Sequence, residues 1–339
     1  MKKKRVLALV EQSLVPPDDA AGKDVANADW KTEFDVVQAL RARGHEVRAL
    51  GVGDQLTAIR EAIADWKPDI CFNLLEGFAS VPGWDLNVVA WLEMQGVRYT
   101  GSNPRGLLLS RDKALAKKVL AYHRIPVADF VVVPQGRVVR RPKRLRFPLI
   151  VKSLTLDASI GISQASVVED EDRLRERVRF IHDSIGTPAL VEQYIDGREL
   201  YVGILGNQRL RVLPTWELDF ARMPEESRRI ATERLKWSLT YRTKHKIVSG
   251  PAELPEPLAR QIATLCKRAY RSLMISGYAR MDLRLGEDGR AWLLEANPNP
   301  QLANGEDFAD AAGKAGLGYG PLLERILALG LEGEPGAVD

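Results

Sequence analysis

Arg280-Met281-Asp282-Leu283-Arg284-Leu285 is followed by Gly286-Glu287-Asp288-Gly289 and then by Arg290-Ala291-Trp292-Leu293-Leu294-Glu295-Ala296-Asn297. Two runs of alternating apolar and polar residues around a Gly- and Asp-containing turn predict a β-hairpin. With the turn centred between Glu287 and Asp288, Asp282 falls opposite Leu293 and Arg280 opposite Glu295. One face then carries Met281, Leu283, Trp292 and Leu294 and points into a core. The other carries Arg280, Asp282, Arg284 and Glu295, with Leu293 among them and Asn297 following in phase. Two acids and an amide beside an Arg fit a solvated face with a cross-strand Arg-Glu pair. They fit equally well a set of oxygen ligands for a hard cation such as Mg²⁺, which commonly binds together with substrate phosphates. The hairpin alone leaves both readings open.

The 339 residues suffice for two or three domains with a substantial core, and 45% hydrophobic with 28% charged residues is a globular composition. Met1 to Arg5 is basic, but the apolar segment from Val6 to Val10 ends at Glu11, so it predicts a first strand rather than a signal peptide, and no apolar run reaches a membrane span. Cys71 and Cys266 are far apart, without metal-ligand spacing or a disulfide framework, which points to a reducing cytoplasm. A net charge of +4 with acids interspersed throughout does not require nucleic acid as a partner and is compatible with phosphorylated substrates.

Strands at Arg5 to Val10, Glu46 to Val52 and Asp69 to Leu75 alternate with helices at about Thr32 to Arg43, Thr57 to Trp66 and Trp84 to Gln95. A short strand, Val97 to Tyr99, follows, and the pattern predicts a parallel α/β unit whose ligands sit at the carboxyl ends of its strands. Glu76 lies at such an end, as a substrate contact or as an exposed loop acid. A helix from about Arg111 to Tyr122 carries Asp112-Lys113 in its first turn, and its Lys117-Lys118 is expected on a solvated face. Phe147 to Lys152 is a strand that delivers a Lys before a small-residue loop, either a phosphate contact or an ordinary surface Lys. Strands at Ala189 to Ile195, Glu199 to Leu205 and Arg209 to Pro214 turn the chain from α/β to α+β. Asp219 to Ser249 is polar and poor in periodicity, a long surface excursion and candidate lid. A strong helix reaching Met274 precedes the hairpin, helices at Asp307 to Lys314 and Pro321 to Leu329 follow it, and a tail from Glu332 is expected to be disordered.

Taken in order, Tyr99-Thr100-Gly101-Ser102, Asp112-Lys113, Phe147 to Lys152, Ser159-Ile160-Gly161, Val191 to Glu199, Gly277 to Asp282 and Leu294 to Asn297 resemble the ATP-grasp superfamily, and within it the D-alanine:D-alanine ligase branch. The resemblance implies a three-domain ATP-grasp fold with an N-terminal Rossmann-like parallel α/β domain (1-102), a central subdomain (103-189) and a C-terminal subdomain (190-331). It implies that Lys113 and Lys152 contact ATP phosphates, that Glu192, Gln193, Tyr194 and Ile195 hold adenine, and that Glu199 holds the ribose. Ser159 and Gly161 would belong to a phosphate-covering loop, and Lys236 would reach the γ-phosphate from a mobile loop. Asp282, Glu295 and Asn297 would bind two Mg²⁺ ions, or Mn²⁺ in their place, and Arg280 would stabilise the transferring phosphoryl group. The implied reaction joins a carboxylate to an amine through an acyl phosphate. Homodimerisation is likewise implied only by resemblance.

Departures from the branch cluster on the amino-acid side. Asn27 aligns nearest to the early Glu that holds the first D-alanine, Leu75 to Ser80 replace a His-Gly segment, and Ala158-Ser159 replace paired serines. Trp237 replaces a loop Tyr, and Asn299 to Ala303 replace the segment that receives the second carboxylate, so that Asn299 and Glu76 become candidate substrate contacts. An ATP-dependent ligase acting on an amino acid or peptide other than D-alanine is therefore expected. A true D-alanine:D-alanine ligase and a non-catalytic ATP-binding module are the competing readings.

Overall fold

The first strand, β1 (Arg5–Glu11), is apolar from Val6 to Val10, the pattern of a parallel strand covered on both faces, and all five residues are buried. It pairs in parallel with β2 (Glu46–Val52) on one side and β3 (Ile70–Asn73) on the other, so that Val6 faces both Val47 and Ile70. Helices α1 (Lys31–Ala42), α2 (Thr57–Trp66) and α3 (Asp85–Met94) supply the covers. Val6 and Ala8 pack with Val36, Val37 and Leu40 of α1, whereas Leu7 and Leu9 pack on Ile59 of α2 and Val88 and Leu92 of α3. The structure is a computed structural model and describes residues 1-156, 159-220, 228-233 and 247-333. Ala158, Lys236, Trp237 and most of the expected lid lie outside the described residues.

The short strand expected at Val97 to Tyr99 is a single parallel bridge between Cys71 and Tyr99. A two-residue hairpin of β4 (Gly77–Phe78) and β5 (Val81–Pro82) turns through Ala79 and Ser80, both at positive φ. The helix expected from about Arg111 to Tyr122 is α5 (Lys113–Tyr122), and a further helix, α4 (Pro104–Arg111), precedes it with a break at Asp112. Asp112 is extended there, and its carboxylate accepts the Ala114 and Leu115 N-H groups at 2.9 Å each, an N-cap that starts a new helix.

The antiparallel sheet β6-β9-β7-β8 follows, from β6 (Phe130–Val133), β7 (Leu149–Ser153), β8 (Val167–Val168) and β9 (Ala189–Gln193). Helix α6 (Glu171–Phe180), which the sequence reading did not draw, covers it through Leu174 and Val178. A second antiparallel sheet runs β13-β12-β10-β14-β15, from β10 (Arg198–Leu205), β12 (Trp216–Asp219), β13 (Val248–Pro251), β14 (Tyr278–Leu285) and β15 (Ala291–Pro298). The strand expected over Arg209 to Pro214 shrinks to β11 (Arg211–Val212), paired to β10. Helix α7 (Glu256–Ser272) buries Ile262, Cys266, Ala269 and Tyr270 against the sheet. Helix α8 (Asp307–Lys314) sits at the expected limits. The last helix, α9 (Tyr319–Glu332), is longer than expected and takes in Glu332; its Leu322, Leu323 and Ile326 return to the core that holds Val6 and Val36. Among the described residues no helix is long and apolar enough to cross a membrane.

The decisive hairpin forms with a different register. Leu283 pairs with Leu293, Arg284 with Trp292 and Leu285 with Ala291, and an irregularity after Asp282 then places Asp282 opposite Glu295 and Arg280 opposite Asn297. Leu294 is the extra residue of this β-bulge. Arg280, Asp282, Glu295 and Asn297 share a face as expected. Leu293 moves to the core side at 1% exposure, Trp292 moves to the face of Arg284, and Leu294 turns toward a cleft.

Candidate active site

One cleft is built from segments far apart in sequence. The start of α5 supplies Lys113, β7 supplies Lys152, the end of β9 supplies Glu192, Gln193, Tyr194 and Ile195, and β10 supplies Glu199. Ser159 reaches it from the loop after β7, and the hairpin closes it with Asp282 and Glu295. Its apolar lining comes from Ile150, Ile160, Ile162, Ile230 and Leu294, an aliphatic sandwich that suits a flat ring. Gly161 lies beside this lining at φ +72°, its N-H donating to Glu233 at 2.7 Å and its carbonyl accepting from Arg177.

The polar end is pre-charged. Glu192, at 1% exposure, lies between Lys117 at 2.9 Å and Lys152, in closer contact still. Burial alone raises the Glu192 pKa, but the two ammonium groups outweigh it and hold the carboxyl below its ordinary range. Burial likewise works against a charged Lys152, and Glu192 and Glu295 overcome it, so that its pKa is raised. For Lys117 burial prevails over Glu192 and the pKa is lowered. The trio sums to one net positive charge when all three are ionised, held at fixed positions away from bulk water, a favourable place for an anion. Lys117 was expected on a solvated helix face; it is 1% exposed, and only Lys118 meets solvent. The signal available for it was its spacing, because i+4 from Lys113 puts both lysines on one helix face. Lys113 donates to the Leu156 carbonyl at 2.9 Å and lies 3.8 Å from Glu295.

Glu199 is engaged at both oxygens, by the Tyr201 hydroxyl at 2.8 Å and the Arg284 guanidinium at 2.7 Å. Arg280 grips Asp282 with two parallel hydrogen bonds of 2.7 and 2.8 Å and lies 4.6 Å over the Tyr201 ring. Gln193 uses its side chain structurally, accepting from the Arg146 N-H and donating to the Pro148 carbonyl. The Asn297 amide nitrogen turns toward Glu295 at 3.5 Å, which leaves Oδ1 as its other end. Asp282, Glu295 and Asn297 thus form an all-oxygen donor set on one sheet face, suited to a hard cation. Among the described residues no group of three His, Cys, Asp or Glu side chains could hold a metal ion, so a cation at this face would take further oxygen ligands from water or a bound anion.

Glu76 and Asn299 line a second cavity, with Glu11, Asp29, Glu33, Asn73 and Tyr278 among its other walls. Tyr278 and Asp282 lie four residues apart on the same face of β14, so the two cavities are separated by roughly 13 Å of strand. Arg280 and its register partner Asn297 stand between them. Glu33 escaped the sequence reading, although it completes the buried stripe of Val36, Val37 and Leu40 on α1.

Residues 119-328 match the family model described as D-ala D-ala ligase C-terminus. The chain is 34% identical over 305 residues to the uncharacterized protein y4sG of Sinorhizobium fredii, covering 86% of this chain and 85% of that one. It is 33% identical over 303 residues to the D-alanine–D-alanine ligase of Desulforudis audaxviator, covering 88% and 92%. Among solved structures, the D-alanine–D-alanine ligase of Bacillus anthracis complexed with ATP shares the fold at a TM-score of 0.74 and 22% identity, with 97% of each chain covered.

Proposed function

The chain belongs to the D-alanine–D-alanine ligase-like family of ATP-grasp enzymes, ATP-dependent ligases that form carbon-nitrogen bonds, and on that premise we propose that it joins an amino acid or peptide other than D-alanine to an amine through an acyl phosphate. The carrying observation is the convergence of Lys113, Lys152, Glu192 to Ile195, Glu199, Asp282 and Glu295 on one cleft. In this reading adenine lies between Ile150, Ile162 and Leu294 beside Glu192 to Ile195, and Glu199 faces the ribose. Lys113 and Lys152 hold the phosphates under the loop of Ser159 and Gly161. Asp282, Glu295 and Asn297 would hold Mg²⁺, two ions in this reading, whose charge would offset that of the phosphates. Lys236 would add a cation at the γ-phosphate from a segment outside the described residues. The three larger sheets support three units, the first ending near residue 102, but β9 (Ala189–Gln193) is a strand of the second sheet, so the boundary expected between 189 and 190 moves to after Gln193.

The chain's part in the chemistry is positioning and charge. A substrate carboxylate oxygen attacks the γ-phosphorus, ADP leaves, and the amine then attacks the acyl carbon and expels phosphate. Arg280, fixed by Asp282 and by the Tyr201 ring, faces the stretch where the two substrates meet, and its guanidinium offsets charge spreading over the phosphoryl oxygens. The altered residues Asn27, Leu75 to Ser80 and Asn299 to Ala303 support a substrate other than D-alanine.

The test is ADP release with Mg²⁺ and ATP against pooled amino acids and short peptides, D-alanine forming its own pool, with mass spectrometry of the products. Turnover in a pool without D-alanine is expected, whereas a dimer made from D-alanine alone would overturn the specificity. Asp282→Asn should abolish release while the protein stays folded.

A further inference from the structure

The second cavity is acidic. Glu11, Asp29, Glu33 and Glu76 line it, and among the described residues lining it none is cationic. Acids alone would make no site, but several walls are polar atoms left unpaired out of solvent. Glu33 is 5% exposed and its Oε2 has no hydrogen-bond partner; Asn73 is 1% exposed and its Nδ2 has none. The orientation of each amide is fixed by its oxygen. Asn73 Oδ1 accepts the Leu75 N-H, and Asn299 Oδ1 accepts the Ser102 N-H at 2.8 Å, so the NH₂ of Asn299 is likewise an unpaired donor. Asn299 is held at φ +53° against Gly101, where a Cβ would come within 2.3 Å of its oxygen. The cavity therefore offers a buried acceptor, two donors and three further carboxylates. Burial, with the neighbouring Glu76 and Glu11, pushes the Glu33 carboxyl up to about 7 despite its backbone hydrogen bond.

A molecule that satisfies these atoms needs an oxygen-bearing group for the two amides and positive charge for the carboxylates. Glu11, Asp29 and Glu33 together can carry more than one negative charge, so a single ammonium would match only part of it. We propose that the cavity receives a basic amino acid, whose side chain carries a second cation besides the α-ammonium, and that Glu33 selects it. This rests on the ligase reading above and names the class of one of its substrates.

The experiment is calorimetric titration of the full chain, with and without Mg²⁺ and a non-hydrolysable ATP analogue. The probes are arginine, lysine and ornithine in both enantiomers against their neutral counterparts citrulline and norleucine. A basic probe should bind at least tenfold more tightly than its neutral counterpart. Glu33→Gln should erase most of that preference while still melting cooperatively, and Glu76→Gln, at the exposed rim, should reduce it less. Equal affinity for citrulline and arginine, no binding of any basic probe, or an unchanged preference in Glu33→Gln would each overturn the inference. The two readings fail separately. ADP release driven by neutral amino acids would keep the ligase and discard the basic substrate, whereas basic-probe selectivity without any ADP release would keep the cavity and discard the ligase.

Discussion

Glu33 shows how a single residue can serve binding against stability. Its carboxyl titrates near 7 in the folded protein, raised first by burial and then by Glu76 and Glu11, against an ordinary value of 4.5. Asp29 and the Tyr278 hydroxyl also line its cavity. Below pH 4.5 the group is protonated in both states and costs nothing. Between about 4.5 and 7 the unfolded chain ionises first, so this contribution to stability falls as pH rises, and above 7 the penalty is complete. Glu33→Gln is therefore expected to stabilise the protein by roughly 2-3 kcal/mol at pH 8 and by nearly nothing at pH 4, measured by urea unfolding at both. A uniform gain or loss across that range would contradict the titration argument. Glu192 behaves oppositely. Glu192→Gln leaves Lys117 and Lys152 buried together with no carboxylate in direct contact and only Glu295 nearby, and should cost about 3-5 kcal/mol, whereas Lys117→Met leaves the pair of Glu192 and Lys152 intact and should cost clearly less. Equal losses in chemical denaturation would mean that the trio is not electrostatically coupled.

At the scale of elements, the hairpin marks both the reach and the limit of sequence reading. Alternation along β14 correctly put Arg280, Asp282 and Arg284 on one face, because period 2 holds within an unbroken strand. Across the turn it failed for Leu293 and Trp292, because one extra residue reverses every side chain up to the bulge, and nothing in Leu293-Leu294 says which leucine is extra. The two leucines now separate the assignments. Leu293→Ala should cost about 2-4 kcal/mol of stability with nucleotide affinity little changed, since it removes core packing. Leu294→Ala should weaken ATP-analogue binding by about tenfold, the loss of an apolar contact worth roughly 1-2 kcal/mol, with a smaller stability change. The reverse pattern in calorimetry and urea unfolding would restore the unbulged register. Helix α5 gives a similar lesson, since Asp112-Lys113 was legible as a first turn, yet the short helix α4 before it was not drawn from the sequence.

At the scale of the whole molecule, the ordered motifs made the nucleotide cleft legible, since each piece carries its own local pattern. Of the second cavity only Glu76 and Asn299 were singled out; Glu33 was not, because it meets Asn299 only when α1 and the end of β15 come together, and a stripe on a helix reports a buried face without naming what covers it. The return of α9 to the core under β1 is invisible for the same reason. What the assembled molecule adds is a sequence of stations along one sheet face, with the proposed nucleotide site at Asp282 and Glu295, Arg280 and Asn297 in the middle, and the acidic cavity at Tyr278 and Asn299. An arginine in the middle station need not hold either ligand strongly, yet it lies where phosphoryl charge must pass. Arg280→Lys keeps a positive charge but loses the two-pronged grip on Asp282 and the fit to planar oxygen pairs. It is expected to lower kcat by about a hundredfold or more while the affinities for the ATP analogue and for the amino acid each change less than about threefold. The comparison needs kcat from ADP release and both affinities from calorimetry on the same preparation. A parallel fall in nucleotide affinity would place Arg280 in ground-state binding, and an unchanged kcat would remove it from the transfer step.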